Sequence, residues 1–202
     1  MSELSPTRSV VLELRDEQRA MREGYVFLDE KCLLLAAEIV AELVRYSALA
    51  RALRQASDEV TRALVAAIAR HGLDGLQLYP AGDLDDARLA QRQRSLMGVR
   101  LVEATFSTQA ASAPPAIDAS PEAERCRIAC TALVGHAVAL AAVTGNLERL
   151  SLEYQRSLRR ARALADVLLP EIARVAGELE TRLEELEQED AIWMSRSARA
   201  LD

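Results

Sequence analysis

The chain has a single lysine, Lys31, two histidines, His71 and His136, and three cysteines among 202 residues, and aromatic side chains make up only 3% of it. Each shortage removes a class of function. No Gly-rich loop leads into Lys31, so there is no phosphate-binding loop. Two isolated histidines build neither an HExxH zinc site nor a His-rich cluster, and no GxSxG nucleophile elbow occurs. Cys126 and Cys130 share one helical face, but two thiols fall short of the four ligands of a structural zinc. All three cysteines read as free thiols of a reducing compartment. His71 reads as a residue that caps a helix end. Acidic pairs such as Glu184–Glu185 and Glu187–Glu189 read as a solvated helix end, because acid–base pairs need a pocket and shifted pKa values. The expectation is a chain with no catalytic residue, no metal and no cofactor. Its 31 acidic against 25 basic side chains give a net charge of −6, and nothing here recommends a nucleic-acid partner, which needs a basic footprint. The N-terminus, with Glu3 and Asp16 and no early apolar core, is not a signal peptide. Ile128 to Leu147 lacks Asp, Glu, Lys and Arg and is long enough to span a bilayer. Its alanines and its polar Thr131, His136, Thr144 and Asn146 point instead to a buried or partner-covered helix.

What the chain has in quantity is Ala, Leu, Arg and Glu, the composition of coiled coils. From Leu14, alternating steps of four and three give Gln18, Met21, Tyr25, Leu28, Cys32, Leu35, Ile39, Glu42, Tyr46, Leu49, Leu53, Ala56, Val60, Ala63 and Ala67. Only Gln18 and Glu42 are clearly polar. An apolar seam this long, averaging 3.5 residues per turn, winds a helix against a partner helix. The partner lies in the same chain: from Leu158 the step gives Ala161, Ala165, Leu168, Ile172, Val175, Leu179, Arg182 and Leu186, with Trp193 one heptad on. The predicted fold is all-α: a long antiparallel two-helix coiled coil with a small central β-hairpin or loop insertion.

The boundaries follow from the punctuation. Ser5 as N-cap and Pro6 as first helical residue open a helix over 5–71, with Gly72 as its left-handed C-cap. The central region, 72–119, carries Gly75, Pro80, Gly82, Gly98, Pro114 and Pro115. Met97 to Phe106 reads as a strand, its mate within Ala87 to Arg94, with a short helix over Asp83 to Gln93 as the alternative. Ser120 and Pro121 open the second helix, 120–195, where Glu122 and Glu124 suit the helix dipole and Pro170 is expected to bend it. A frayed tail, 196–202, follows. If Leu14 lies level with about residue 190, Gly24 and Gly177 share one height. The apolar excess Cys32 to Ala41 then faces Ala163 to Leu169 as a girdle, which marks a partner surface.

Ser5-Pro6-Thr7-Arg8, Met97-Gly98-Val99-Arg100, Arg159-Arg160-Ala161-Arg162-Ala163-Leu164 followed by Val167-Leu168-Leu169-Pro170, and the acidic Leu183 to Glu189 together resemble, in order and over nearly the whole chain, segments of the D subunit of V-type and A-type ATPases. The family's KRDEL is here Lys31-Cys32-Leu33-Leu34-Leu35, its signature Asn is Arg162, Val102 stands near the place of a missing Pro, and its C-terminal aromatic pair is Ala191 and Ile192, before Trp193. The resemblance implies a non-catalytic central rotor stalk that passes torque between ATP chemistry and H⁺ or Na⁺ movement. It implies the catalytic A and B subunits, the rotor's F subunit and the membrane-ring socket subunit as partners. It also implies a cytoplasmic place, peripheral to the membrane, with no direct insertion. The candidate partner contacts are Pro6, Thr7 and Arg8 at the start, Leu33, Leu34 and Val40 in the apolar excess, and Met97, Gly98 and Val99 in the centre. Arg159, Arg160, Arg162, Leu164, Leu169 and Trp193 complete them. The alternative is a free-standing coiled-coil scaffold or adaptor diverged from this family. The γ axle of F-type synthases, which also pairs its terminal helices, needs a far larger central domain than 72–119.

Overall fold

The structure, a computed structural model, describes residues 7–77, 79, 87–108 and 119–199, with side chains up to Arg196. Helix α1 spans Arg8–Gln77, strands β1 and β2 span Ala87–Leu96 and Val99–Thr108, and helix α2 spans Pro121–Ala163. A π-helical turn, Leu164–Leu168, leads into helix α3, Leu169–Arg199. The fold is the expected all-α coiled coil with a hairpin insertion. It divides into two compact units, one formed by the chain up to Leu34 with the chain from Tyr154, the other by Leu35–Glu153.

The α1 seam holds. Every position of the four-and-three series from Leu14 to Ala67 is buried or half-buried except Tyr46. The start of α1 differs from expectation. Ser5 and Pro6 lie outside the described residues, and the cap is Thr7, whose Oγ1 accepts from Val10 N–H at 3.4 Å while its carbonyl accepts from Val11 N–H at 3.2 Å. At the other end the helix is interrupted where its end was expected: Gly72 takes φ 70°, ψ 168°, a combination open essentially to glycine alone. A second helical segment resumes after the kink and runs to Gln77.

In the first unit, α1 meets the C-terminal helix antiparallel. Arg8 Nη2 lies 2.7 Å from Glu187 Oε1, and Arg15 Nε lies 2.6 Å from Glu180 Oε1. A seven-residue advance on α1 matches a seven-residue retreat on α3, one heptad each. The expected offset between the helices is therefore corrected. Residue 15, not a residue in the middle twenties, is level with 180, and the space beside Gly24 belongs to Leu164, whose Cδ1 would sit 3.9 Å from an added Cβ. Gly24 and Gly177 do not share a height, and it is Leu164 that packs beside Gly24. The seam of α3 also ends early. Ile172, Ala176 and Leu179 are buried, whereas Arg182, Leu186 and Trp193 are exposed.

Pro170 acts one turn earlier than a simple bend. It has no N–H to donate and its ring crowds the carbonyl four residues back. The chain resolves this with the π-turn, in which Leu169 N–H donates to Leu164 O, five residues back. Buried Val143, Leu150 and Ser157 are seven apart, as are Ile172 and Leu179. Two heptads from Ser157 would instead reach exposed Glu171. The π-turn absorbs the one extra residue.

In the second unit, Leu35, Ala67, Leu101 and Leu150 are fully or almost fully buried, and Val99, Ala123 and Val143 join them. β1 and β2 pair antiparallel with Leu96 opposite Val99 and Ala87 opposite Thr108. Ala87 to Gln93 are thus strand, which overturns the helical alternative there; its residues 83–86 lie outside the described residues. Ser120 caps α2 as expected. Its Oγ accepts from Ala123 N–H at 3.2 Å and its carbonyl from Glu124 N–H at 3.2 Å. The same Oγ lies 2.6 Å from His71 Nε2, which ties the kink of α1 to the start of α2.

Candidate functional site

The hairpin is fastened to the helices by polar groups that the seam would be expected to exclude. Glu42, on the α1 seam, is 0% exposed. A buried carboxylate is costly unless paired and hydrogen-bonded. Arg45, one turn on, donates to Oε1 at 2.9 Å. Arg94 of β1 pairs with Glu38 and lies 3.7 Å from Glu42 Oε1. Asn146 of α2 donates from Nδ2 to Glu42 Oε2 at 3.5 Å. Strand alternation explains the reach of Arg94: it stands opposite Leu101, so it leaves the same face of the sheet as the buried Leu101 and Val99.

Asn146 does a second job. Its Oδ1 accepts from Val102 N–H at 2.8 Å and its Nδ2 donates to Val102 O at 3.0 Å. Arg149, one turn on, donates from Nε to Arg100 O at 2.9 Å and from Nη2 to Asn146 Oδ1 at 2.8 Å. The outward groups of β2 at Arg100 and Val102, which a two-stranded sheet leaves without a neighbouring strand, are thus satisfied by two side chains of α2. The sequence marks both key residues as oddities, Glu42 as a charge on an apolar seam and Asn146 as an amide in an uncharged run. It gives no sign that they meet.

The hairpin turns through Met97 and Gly98, with φ 48° and 85°. A two-residue loop needs positive φ at both centres, and Asn-Gly suits it best. Methionine in that conformation is strained. Met97 is half-buried, Gly98 exposed and Val99 buried.

A family model described as the D subunit of ATP synthase matches residues 10–198. The chain belongs to the ATP synthase D-subunit family. Among relatives, it is 22% identical to the V-type ATP synthase D subunit of Thermotoga neapolitana, with 96% of each chain covered. It is 26% identical to the A-type ATP synthase D subunit of Pyrococcus abyssi, over 98% of this chain and 95% of that one. It is 24% identical to the A-type ATP synthase D subunit of Methanopyrus kandleri, over 97% and 86%.

The residues singled out by resemblance to the D-subunit family scatter over several surfaces. Thr7 caps α1, and Arg8 is clamped to Glu187 through Nε at 3.0 Å and Nη2 at 2.7 Å. Pro6 lies outside the described residues. Leu33, Leu34 and Val40 are exposed, as are Val26 and Phe27 on α1. Arg159, Arg160 and Arg162 are exposed; Leu164 and Leu169 are half-buried at the ends of the π-turn. Trp193 is 72% exposed. Among the described residues, no three His, Cys, Asp or Glu side chains are grouped to hold a metal. One stretch within Pro121–Arg196 is apolar and long enough to cross a membrane by length and composition, and it is little buried. One end of Ile128 to Leu147 is held by protein all the same, since Asn146 is committed to Glu42 and Val102.

Electrostatic shifts arise from ion pairs and, at the cysteines, from burial. The bond to Arg15, and then its charge, pull the Glu180 carboxyl below its ordinary range. Arg127 does the same to Glu124. Burial pushes the Cys32 thiol up. It pushes Cys126 up too, with neighbouring Cys130 adding to the effect.

Proposed function

We propose that the chain is the non-catalytic central stalk of a V/A-type rotary ATPase and transmits torque between the catalytic A/B hexamer and the membrane ring that moves H⁺ or Na⁺. Membership in the D-subunit family over residues 10–198 carries this reading. Its partners are the A and B subunits, the rotor's F subunit and the ring's socket subunit. It is peripheral to the membrane, on the cytoplasmic side, and holds no cofactor. Torque transmission needs elements that do not slip. The buried Glu42–Asn146–Val102 fastening supports that requirement, and the heptad-spaced pairs Arg8–Glu187 and Arg15–Glu180 fit a fixed register between the helices. Exposed Leu33, Leu34 and Val40, with the half-buried Leu164 and Leu169, supply apolar surface for partner subunits, and the strained Met97 turn and the exposed Arg159, Arg160 and Arg162 supply further contacts.

Co-expression with the A, B and F subunits of a rotary ATPase from the same genome tests the reading. The expected result is one co-purifying complex, with assembly weakened by Leu34→Glu combined with Leu169→Glu while helicity is kept. A monomeric chain that joins none of these subunits would replace the stalk by a free-standing coiled-coil scaffold.

A further inference from the structure

The two outer edges of the hairpin are treated differently. Leu96 and Val99 flank the two-residue turn as a pair and exchange backbone bonds. Bonded and non-bonded positions then alternate along an antiparallel pair. Arg94, Arg92 and Ala90 therefore bond to β2, while Ser95, Gln93, Gln91 and Leu89 turn their backbone N–H and C=O groups away from it. On β2 the same alternation turns Arg100 and Val102 outward, and theirs are the groups taken by Arg149 and Asn146. α2 thus closes the β2 edge. The β1 edge stays open: the described sheet has no third strand, and Arg88 to Ser95 are all exposed.

The open edge offers one donor and one acceptor at every second residue. Another extended backbone meets such a row in full. Phosphate and carboxylate ions accept without donating, and a helix has already spent its backbone groups. The ligand class is therefore an extended polypeptide.

Side chains narrow the class. Alternate residues of a strand share a face, so Arg88 and Arg92 stand with Arg94 on the side of the buried Leu101. Arg94 is paired with Glu38. Arg88 and Arg92 are exposed and have no ion pair among the described residues. Glu103 is the one carboxylate against four arginines in 87–108. A second copy of β1 fits this charge badly. Antiparallel self-pairing centred on Ala90, Gln91 or Arg92 sets Arg88 opposite Arg92, Arg88 opposite Arg94, or Arg92 opposite its own copy, and like charges directly opposite are destabilising. Carboxylates opposite Arg88 and Arg92 are stabilising, and one-to-one pairing places them four residues apart.

We propose that the open edge of β1 takes an extended segment of a partner protein as an added antiparallel strand, with acidic side chains four residues apart facing Arg88 and Arg92. The proposal rests on the hairpin and does not depend on the stalk reading.

The test titrates the full chain by calorimetry with a seven-residue strand-forming peptide that carries glutamate at its second and sixth positions, and follows amide exchange by NMR. The peptide binds. Exchange slows at Gln91 and Gln93, whose N–H groups point outward, and not at Ala90 and Arg92, already bonded to β2. Methylating the peptide amides at the third and fifth positions abolishes binding. Changing its glutamates to lysine, or Arg88→Glu combined with Arg92→Glu, lowers affinity by about tenfold or more. Gln93→Pro removes one outward N–H at the kind of edge position where proline is tolerated, and also lowers it; if that variant loses the hairpin, the arginine pair carries the test. Absence of peptide binding to the wild type overturns the proposal, as does binding that survives methylation or leaves exchange at Gln91 and Gln93 unchanged. Protection of those amides in the chain alone, growing with its concentration, overturns it in favour of a second copy. None of these outcomes alters whether the wild-type chain joins an A/B hexamer, so the two readings fail separately.

Discussion

The side-chain amide of Asn146 pairs with the backbone of Val102 through both of its polar atoms, at 2.8 and 3.0 Å, as a neighbouring strand would. It is also the link from β2 to the buried Glu42. Replacing it removes the partner of two backbone groups and one contact of a buried carboxylate. Asn146→Ala is expected to destabilise the chain by about 2–3 kcal/mol, read by urea unfolding. Amide exchange at Val102 should accelerate well before global unfolding. Loss of stability without faster local exchange would show that Asn146 supports the helix rather than the hairpin.

Three glycines should respond differently to alanine. Gly72→Ala places a Cβ at φ 70° and is expected to cost about 1–3 kcal/mol. Gly24→Ala and Gly177→Ala meet at most an ordinary contact and should each gain about 1 kcal/mol. Thermal unfolding of the three variants separates these signs, and a loss at Gly24 would indicate closer packing against Leu164.

Met97→Asn should relieve the turn. Asparagine tolerates positive φ and methionine does not, so the isolated chain gains up to about 1 kcal/mol. Under the proposed function the same variant binds its partner subunits more weakly, because the strained methionine is kept for contact. A variant that is both more stable and equally well bound would leave Met97 without that role.

Acid should weaken the α1–α3 pairing before it melts the helices. The Glu180 carboxyl is held low in the folded state by Arg15. Its contribution is therefore present above the ordinary glutamate range and lost as pH falls through the lowered value. Glu180→Gln should flatten that part of the acid stability profile and leave stability near neutral pH only slightly lower, since the pair is solvent-screened.

Periodicity made the helices legible. Residues from Leu14 to Ala67 face inward because steps of four and three keep one side of a helix apolar, and this needs no knowledge of the partner. The Ser120-Pro121 start was legible for a similar reason, because capping chemistry acts within a few residues; the strand from Val99 showed in its β-formers, but Met97 and Gly98, read as part of it, form the turn instead. Less visible was the response to Pro170. A bend and a π-turn both accommodate its missing N–H, and the choice depends on which neighbouring residues find burial.

The two long helices, the phase of their seams and the lack of a recognisable catalytic motif can be read from residue order alone, because these follow from local steric and hydrogen-bonding rules and from residue types. Tertiary structure alone decided the offset between helices. A heptad fixes which side of a helix is apolar, but Arg15 meets Glu180 only once two distant segments have settled against each other. It also decided that Glu42, Asn146 and Val102 form one fastening. A buried charge is unfavourable in isolation and becomes tolerable only where partners about a hundred positions along the chain converge on it, and no local pattern encodes that convergence.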